Sequence, residues 1–460
     1  MKKTICLNMI VKDESHIIVK TLKNLTSYIK FDYWIISDTG SSDNTKELIK
    51  QFFKKAKIPG ELIETPWKNF GYNRTFALEK AYKKTDYVFI FDADDEIYGN
   101  FKLPTDLTKD NYIFQYGNST GIVLTRPQLF NNRKKWEYKG VLHEYAFPLE
   151  EIGEPEIVTG DYYFTLGHEG NRSKDLEKYS KDAVILEKAF NENNSDTYLH
   201  SRYAYYCAQS YLCCNNVEKA IEFYKKTLEL YGWLEEKYVS SFRIYDNIED
   251  KEEGIKFLIQ ASNYNPNRIE CIYRLINYYL LKNQFDRSYD YYKLVQKYYE
   301  NDYYKNGITG TFLCINVSEY VFYFPYNMII VSERIKKYEI GIRMYEIIFK
   351  NKFIHIDQFF ITHLFSNLAF FYDKVLDKDF FINMRIYIDL LKENGFELPE
   401  VVYNKFINYE VPILDNDYFE TIKDNLKKNK TLSNEEIKYV KGLSHEYKNE
   451  ILDILITPTK

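Results

Sequence analysis

The sequence predicts an α/β domain built on a mostly parallel sheet, followed by an all-α helical repeat domain. Three observations lead there. Short apolar runs alternate with helical-period segments over the first 100 residues. Beyond residue 200, a six-residue pattern recurs at a 34-residue spacing. No run of about 18 apolar residues occurs, so no membrane span is expected.

Taken in order, residues 4–11 read as a buried strand and 14–25 as a helix; 33–37 is a second strand and 43–54 its helix. Residues 61–65 are a third strand, 73–83 a helix, and 87–91 a fourth strand ending at Asp92. Strands separated by helices of this length form βαβ units and a parallel, Rossmann-like sheet. In such sheets ligands bind beyond the carboxyl ends of the strands. Polar clusters follow Val11, Ser37 and Phe91, each at such an end. Residues 112–165 turn strand-rich and irregular, and after Asp175 the pattern is helical.

In the helical part Glu218-Lys219-Ala220-Ile221-Glu222-Phe223 recurs as Glu252-Glu253-Gly254-Ile255-Lys256-Phe257 and, more weakly, as Asp286-Arg287-Ser288-Tyr289-Asp290-Tyr291. Ala220, Gly254 and Ser288 fall where two helices must approach closely, and Tyr211, Tyr245 and Tyr279 keep the same 34-residue spacing. Pro266 falls where a helix pair should end. This period resembles tetratricopeptide repeats. The expected domains are 1–175, the α/β domain; 176–300, the repeats; and 301–460, degenerate repeats and a cap.

The 460 residues suffice for two or three folded units, and 45% hydrophobic with 28% charged residues is ordinary for a globular chain. A net charge of −5 implies no basic face, so no nucleic-acid partner is expected. Tyr 45 and Phe 32 are high counts, reflecting either genome composition or a surface of rings that stack on sugars. The six cysteines form no Cys-x-x-Cys pair, which disfavours zinc and a disulfide framework. With no signal peptide in the first ten residues, a reducing, cytoplasmic location is expected.

The strongest local signal is Asp92-Ala93-Asp94-Asp95-Glu96, four carboxylates in five residues at the end of the fourth strand. Mutual repulsion makes that density costly unless a divalent cation offsets it. Hard oxygen ligands suit Mn²⁺ or Mg²⁺, which also bind substrate phosphates.

With its neighbours, this block resembles the GT-A glycosyltransferases of family 2, in the branch fused to tetratricopeptide-like repeats, over roughly residues 4–300. The blocks involved are Leu7-Asn8-Met9-Ile10-Val11-Lys12-Asp13-Glu14, Asp38-Thr39-Gly40-Ser41-Ser42-Asp43-Asn44-Thr45 and Asn69-Phe70-Gly71-Tyr72-Asn73-Arg74. After the acidic block come Arg126-Pro127-Gln128-Leu129-Phe130, Gly140-Val141-Leu142-His143-Glu144 and His168-Glu169-Gly170-Asn171-Arg172. The resemblance implies a nucleotide-sugar donor, a UDP-sugar first, and a glycan or protein acceptor. It implies inversion through a single base and a metal that stabilises the departing diphosphate.

It also implies roles. Val11, Lys12 and Glu14 lie in the turn that holds base and ribose. Asp38 binds a ribose hydroxyl or the uracil N–H, or else caps a helix, a task for which Asp43 is better placed. Asn73 belongs to the donor-binding block, and Arg74 either pairs with the diphosphate or lies on a solvated helix face. Asp92 binds ribose or metal, and Asp94 and His168 bind metal. Glu144 is the expected base, with Asp95 as the alternative. Trp136, Tyr138 and Tyr145 stack on the acceptor or belong to the core.

At 175 residues the α/β part is short for this fold, so the helical part is expected to supply some of the acceptor site. The repeats are also expected to offer a surface to a protein partner. The competing reading is a repeat-based scaffold with a degenerate transferase domain, against which the intact acidic block argues. A sugar-1-phosphate nucleotidyltransferase would need a Gly-rich basic loop where Lys12-Asp13-Glu14 stands.

Overall fold

Strands β1 (Ile5–Val11), β2 (Tyr33–Asp38), β3 (Gly60–Glu64) and β4 (Tyr87–Ile90) form the parallel half of a nine-stranded sheet, in the order β3-β2-β1-β4. Helices α1 (Ile18–Tyr28), α2 (Thr45–Ala56) and α3 (Phe70–Ala81) connect them. This is a computed structural model; it describes residues 2–118, 121–167, 169–192, 195–303, 312–375, 378–400, 402, 416–427, 431–433, 436–437, 440 and 451. Both sheet faces are covered, which is why the strands read as continuous apolar runs. Leu7, Met9, Ile36 and Phe89 enter one core, and Cys6, Ile35, Val88 and Ile90 the other.

The expected helix at 14–25 begins later, at Ile18. The backbone N–H groups of Asp13, Glu14 and Ser15 are taken instead by the side chains of Ser41, Thr45 and Asp43, which hold those residues in a turn. Helix α3 begins earlier than expected because the Asn69 side chain caps it, accepting from Tyr72 N–H at 2.8 Å.

The irregular stretch contributes β5 (Ile97–Gly99), β6 (Asn111–Asn118), β7 (Gly121–Asn131), β10 (Glu156–Val158) and β11 (Tyr162–Phe164) to the same sheet. β8 (Trp136–Lys139) and β9 (Tyr145–Pro148) form a separate hairpin. β7 runs antiparallel to both β4 and β6. Tyr112 pairs with Leu129 but Ile113 with Pro127, so Gln128 is an extra residue, a bulge of the kind that re-aims side chains near sites.

Two compact units result, residues 1–271 with 305–317, and 272–304 with 318–460. In the first, α4 (Lys178–Glu192), α5 (Thr197–Cys213), α6 (Val217–Glu229), α7 (Leu234–Asn247) and α8 (Lys251–Ala261) pack in sequence. The second holds most of α9 (Glu270–Leu281), then α10 (Phe285–Lys297), α11 (Phe324–Arg334), α12 (Tyr338–Asn351), α13 (Gln358–Leu368), α14 (Lys378–Glu393) and α15 (Asn416–Lys427). Helices α6, α8 and α10 start 34 residues apart, the period read in the sequence. Ala220, Gly254 and Ser288 are buried as expected, and a Cβ on Gly254 would lie 2.9 Å from the Tyr245 ring of α7. No helix among the described residues is long and apolar enough to cross a membrane.

Candidate active site

The order β3-β2-β1-β4 reverses direction at β1, which opens a crevice beyond the carboxyl ends of β1 and β4. The turns after β1 and β2 are laced together there. Thr39 donates to Val11 C=O at 2.9 Å from its N–H and at 3.1 Å from its hydroxyl. Asp13 has φ +53° and accepts from Ser42 N–H at 2.7 Å. Asp38 Oδ1 accepts from Gly40 N–H at 3.0 Å and Ser41 N–H at 2.8 Å, a close turn that Gly40 permits with φ +111°. Asp38 is buried, and its Oδ2 has no hydrogen-bond partner among the described residues. A bare buried carboxylate oxygen is costly unless a ligand donates to it.

At the end of β4 the carboxylates diverge. Asp92 accepts from Arg74 Nη2 at 2.5 Å and from Arg126 Nη2 at 3.1 Å. Burial alone would raise its pKa, but the two guanidinium groups outweigh that and hold it below the usual carboxylate range. Asp95 is buried beneath, accepting from Tyr116 Oη at 3.1 Å and Gly167 N–H at 2.9 Å. Burial, then the charge of Asp92, pushes its carboxyl up to about 7. The bulge residue Gln128 donates its amide to the same Tyr116 hydroxyl.

Asp94 turns the other way, toward a strap that carries Gly167 and Gly170. Its Oδ2 accepts from Gly170 N–H at 3.2 Å, while Glu14 accepts from Asn171 N–H at 3.3 Å. A Cβ on Gly170 would lie 2.7 Å from Asp94 Oδ2 and 3.5 Å from Glu14 Oε1, so the two carboxylates share one small space. Glu14 is held up to about 7, by burial first and with the Asp94 charge adding to it.

Glu144 reaches the site through a loop docked on α3. Phe70 N–H and Gly71 N–H donate to Val141 C=O at 3.2 Å and Gly140 C=O at 3.1 Å, and a Cβ on Gly71 would sit 2.4 Å from Gly140 C=O. Glu144 Oε1 accepts from Arg74 Nε at 2.6 Å, so one buried arginine bridges Glu144 and Asp92. These three side chains, with Arg126, Tyr138 and Tyr145, border a cleft of about 540 Å³.

Residues 6–105 match the model of the family described as Glycosyl transferase family 2. The N-terminal domain is a family 2 glycosyl transferase domain. The chain thus carries a glycosyltransferase domain joined to helical repeats. Among solved structures it is similar to TarS 1-349 of S. aureus in complex with UDP-GlcNAc, at 13% identity and a TM-score of 0.29 over 64% of this chain and 91% of that one. It is also similar to the mannosyltransferase PcManGT from Pyrobaculum calidifontis in complex with GDP-Man and Mn²⁺, at 10% identity and 0.29 over 65% and 87%. A third is a thermophilic TPR protein of Thermus thermophilus, at 17% identity and 0.25 over 42% and 92%. No curated protein sequence matches the chain.

Within the transferase domain, Val11, Glu14, Asp38, Asp92, Asp94 and Asp95 gather at the carboxyl ends of β1, β2 and β4. Arg74 and Glu144 join them from α3 and its docked loop. Lys12 is exposed in the first turn. Asn73 faces away, its amide tying Lys68 N–H and Pro66 C=O at 3.0 and 3.1 Å. His168 lies outside the described residues. Among the described residues no three His, Cys, Asp or Glu side chains are grouped to hold a metal ion. Trp136 is core, whereas Tyr138 and Tyr145 line the cleft.

Sequence reading assigned no role to Arg126, Tyr116, Gln128 or Gly167. Arg126 and Gln128 belong to the segment Arg126-Pro127-Gln128-Leu129-Phe130, but only the antiparallel return of β7 brings them to β4.

Proposed function

We propose that the chain moves one sugar from a nucleotide-sugar, a UDP-sugar first, to a glycan or protein acceptor, with inversion at the anomeric carbon. The observation that supports donor binding most is the buried Oδ2 of Asp38, which has no hydrogen-bond partner among the described residues and lies at the end of β2 beside Val11 of β1. It suits an imide N–H such as that of uracil, or a ribose hydroxyl. Val11, Lys12 and Glu14 border the same turn.

In the reaction the acceptor oxygen bonds to the anomeric carbon as the bond from that carbon to the diphosphate oxygen breaks. The acceptor proton passes to Glu144. Arg74 holds Glu144 Oε1 and orients the group, leaving Oε2 to take the proton. One base and one displacement give inversion. Asp95, with its high pKa and its place beneath Asp92, suits a supporting role.

Mn²⁺ or Mg²⁺ fits the carboxylates present. Such ions are held by one or two carboxylates together with substrate phosphates. Asp94 and Glu14 share one space, and their mutual repulsion is what a cation would relieve. Both oxygens of Asp92 are taken by arginines, which suits Asp92 to ordering Arg74 and Arg126 or to a ribose hydroxyl. His168 is the further candidate ligand. Bound there, the ion would stabilise the charge of the departing diphosphate.

In this reading residues 1–175 are the transferase module, 176–300 the repeats that complete the acceptor site or hold a partner, and 301–460 a helical region of degenerate repeats and a cap.

The test is turnover of UDP-, GDP-, dTDP- and CMP-sugars, with Mn²⁺ or with chelator, by the wild type and Asp94→Ala. Metal-dependent turnover of one donor, lost in the variant, is expected. A folded protein silent on the whole panel would refute the reading.

A further inference from the structure

The cleft that Glu144 borders has a second wall, made by the helical elements of the same compact unit. Helix α5 contributes Tyr198, Arg202 and Tyr206, and Trp233 stands at the start of α7. Phe312 and Leu313 come from a distant segment that belongs to this unit.

These residues are held in place by different means. The ring of Tyr206 is covered by His143, with centroids 3.9 Å apart and planes 8° apart. Arg202 lies 4.8 Å from that ring's centroid, donates to His143 C=O at 2.8 Å and pairs with the buried Glu236 at 2.6 Å. Leu313 is fixed by its backbone: its N–H donates to Glu235 Oε2 at 3.0 Å and its C=O accepts from Arg268 Nη1 at 2.9 Å. Arg268 is itself 1% exposed and paired with Glu235 and Glu270, both at 2.6 Å. The buried cluster, which also bonds Asn265 and Tyr238, thus anchors Leu313 by both of its backbone groups. Its visible result is a defined far wall to the cleft. Tyr198 is 37% exposed and meets the Tyr145 ring edge-on, with centroids 6.4 Å apart. Trp233 is half-buried, so both residues keep ring surface accessible from the cleft they line.

We propose that Tyr198 and Trp233 form the acceptor subsite of the transferase and that its occupant is a glycan. The proposal rests on the transferase reading above and adds the substrate class. A pyranose ring has an apolar C–H face that lies against an aromatic ring, and hydroxyls that suit fixed donors such as Arg202. A cleft of about 540 Å³ is within the range of small-ligand sites and holds a few sugar units. Glu144 at the same cleft supplies the base for the attacking hydroxyl.

The test uses the full chain with the donor it turns over. Acceptors are free monosaccharides, their oligomers of two to four units, and a Ser/Thr peptide library, with products read by mass spectrometry. Transfer to a saccharide is expected, with a lower KM for the oligomer than for the monomer. Trp233→Ala and Tyr198→Ala should each raise acceptor KM about tenfold, with kcat at saturating acceptor within about threefold. Trp233→Phe, which keeps a ring face, should restore most of the affinity. Transfer to peptide alone, no transfer to or competition by any saccharide, or an unmoved acceptor KM in folded variants would overturn the subsite. Absence of donor hydrolysis by the wild type, measured without acceptor, would instead remove the transferase reading beneath it.

Discussion

Arg74 sets the charge balance of the site, because it links Asp92 to Glu144. Arg74→Ala would leave two largely buried carboxylates without their shared cation. A loss at the lower end of about 3–5 kcal/mol is expected, since Asp92 keeps 24% exposure through which water can screen it. Arg74→Lys should recover little, because an ammonium cannot present two separate N–H groups in a planar fork. Denaturant titration of both variants checks this. Glu144→Gln keeps an acceptor for Arg74 Nε but cannot take a proton. Transfer should fall by about 10²–10⁴ in kcat with stability near that of the wild type. Asp38, Asp94 and Glu144 were legible in the sequence because each sits in a local motif at a strand end or turn. The second arginine on Asp92 was not, since Arg126 stands 34 residues away and arrives by an antiparallel strand. The glycines against Asp94 were equally hidden, Gly170 being 76 residues distant.

Among the elements, the strap over Asp94 depends on close approach. A Cβ on Gly167 would meet Asp94 backbone oxygen at 2.1 Å, which no side-chain rotation relieves. Gly167→Ala should therefore cost about 1–3 kcal/mol of stability. On Gly170 the nearest atom is a side-chain oxygen, so Gly170→Ala should move the Asp94 carboxylate and lower donor turnover while the fold persists. Thermal melts and turnover of the two variants separate these effects. Helices α5 and α7 are joined by the pair Arg202–Glu236, which brings a titration with it. Burial raises the Glu236 carboxyl to about 7, against the opposing pull of Arg202. The folded state thus binds its proton more tightly than the unfolded chain does. That stabilisation is complete below the ordinary carboxylate range and is lost as pH rises through about 7. Glu236→Gln should remove this dependence, so that its stability relative to the wild type improves by about 1–3 kcal/mol between pH 4.5 and 8. An unchanged difference across that range would rule the titration out. The four parallel strands and the 34-residue helical step were legible because each is a local periodicity. The order of the remaining strands was not: β5, β10 and β11 have three residues each, and even the longer β6 and β7 find β11 and β4 only through contacts remote in sequence.

At the scale of the molecule, the candidate site and the expected acceptor wall both belong to one compact unit, residues 1–271 with 305–317. A ligand stabilises only the cooperative unit that binds it, by about 2.7 kcal/mol at a hundred times its dissociation constant. Two units need not unfold together. Calorimetry of the full chain should therefore show two overlapping transitions, with UDP and Mn²⁺ together moving one of them upward by a few degrees. Chelator should cancel most of the shift if the diphosphate and the Asp94–Glu14 pair hold the ion between them. Asp38→Asn provides the internal control: Oδ1 can go on accepting from Gly40 and Ser41, while an amide replaces the bare Oδ2. Without ligand this variant should unfold like the wild type; against the uracil imide an N–H facing another N–H cannot bond and the shift is lost, whereas a ribose hydroxyl, which also accepts, would keep much of it. A full UDP shift in Asp38→Asn would place the base elsewhere, and a shift that survives chelator would leave the acidic run at β4 to act through Arg74 and Arg126 alone.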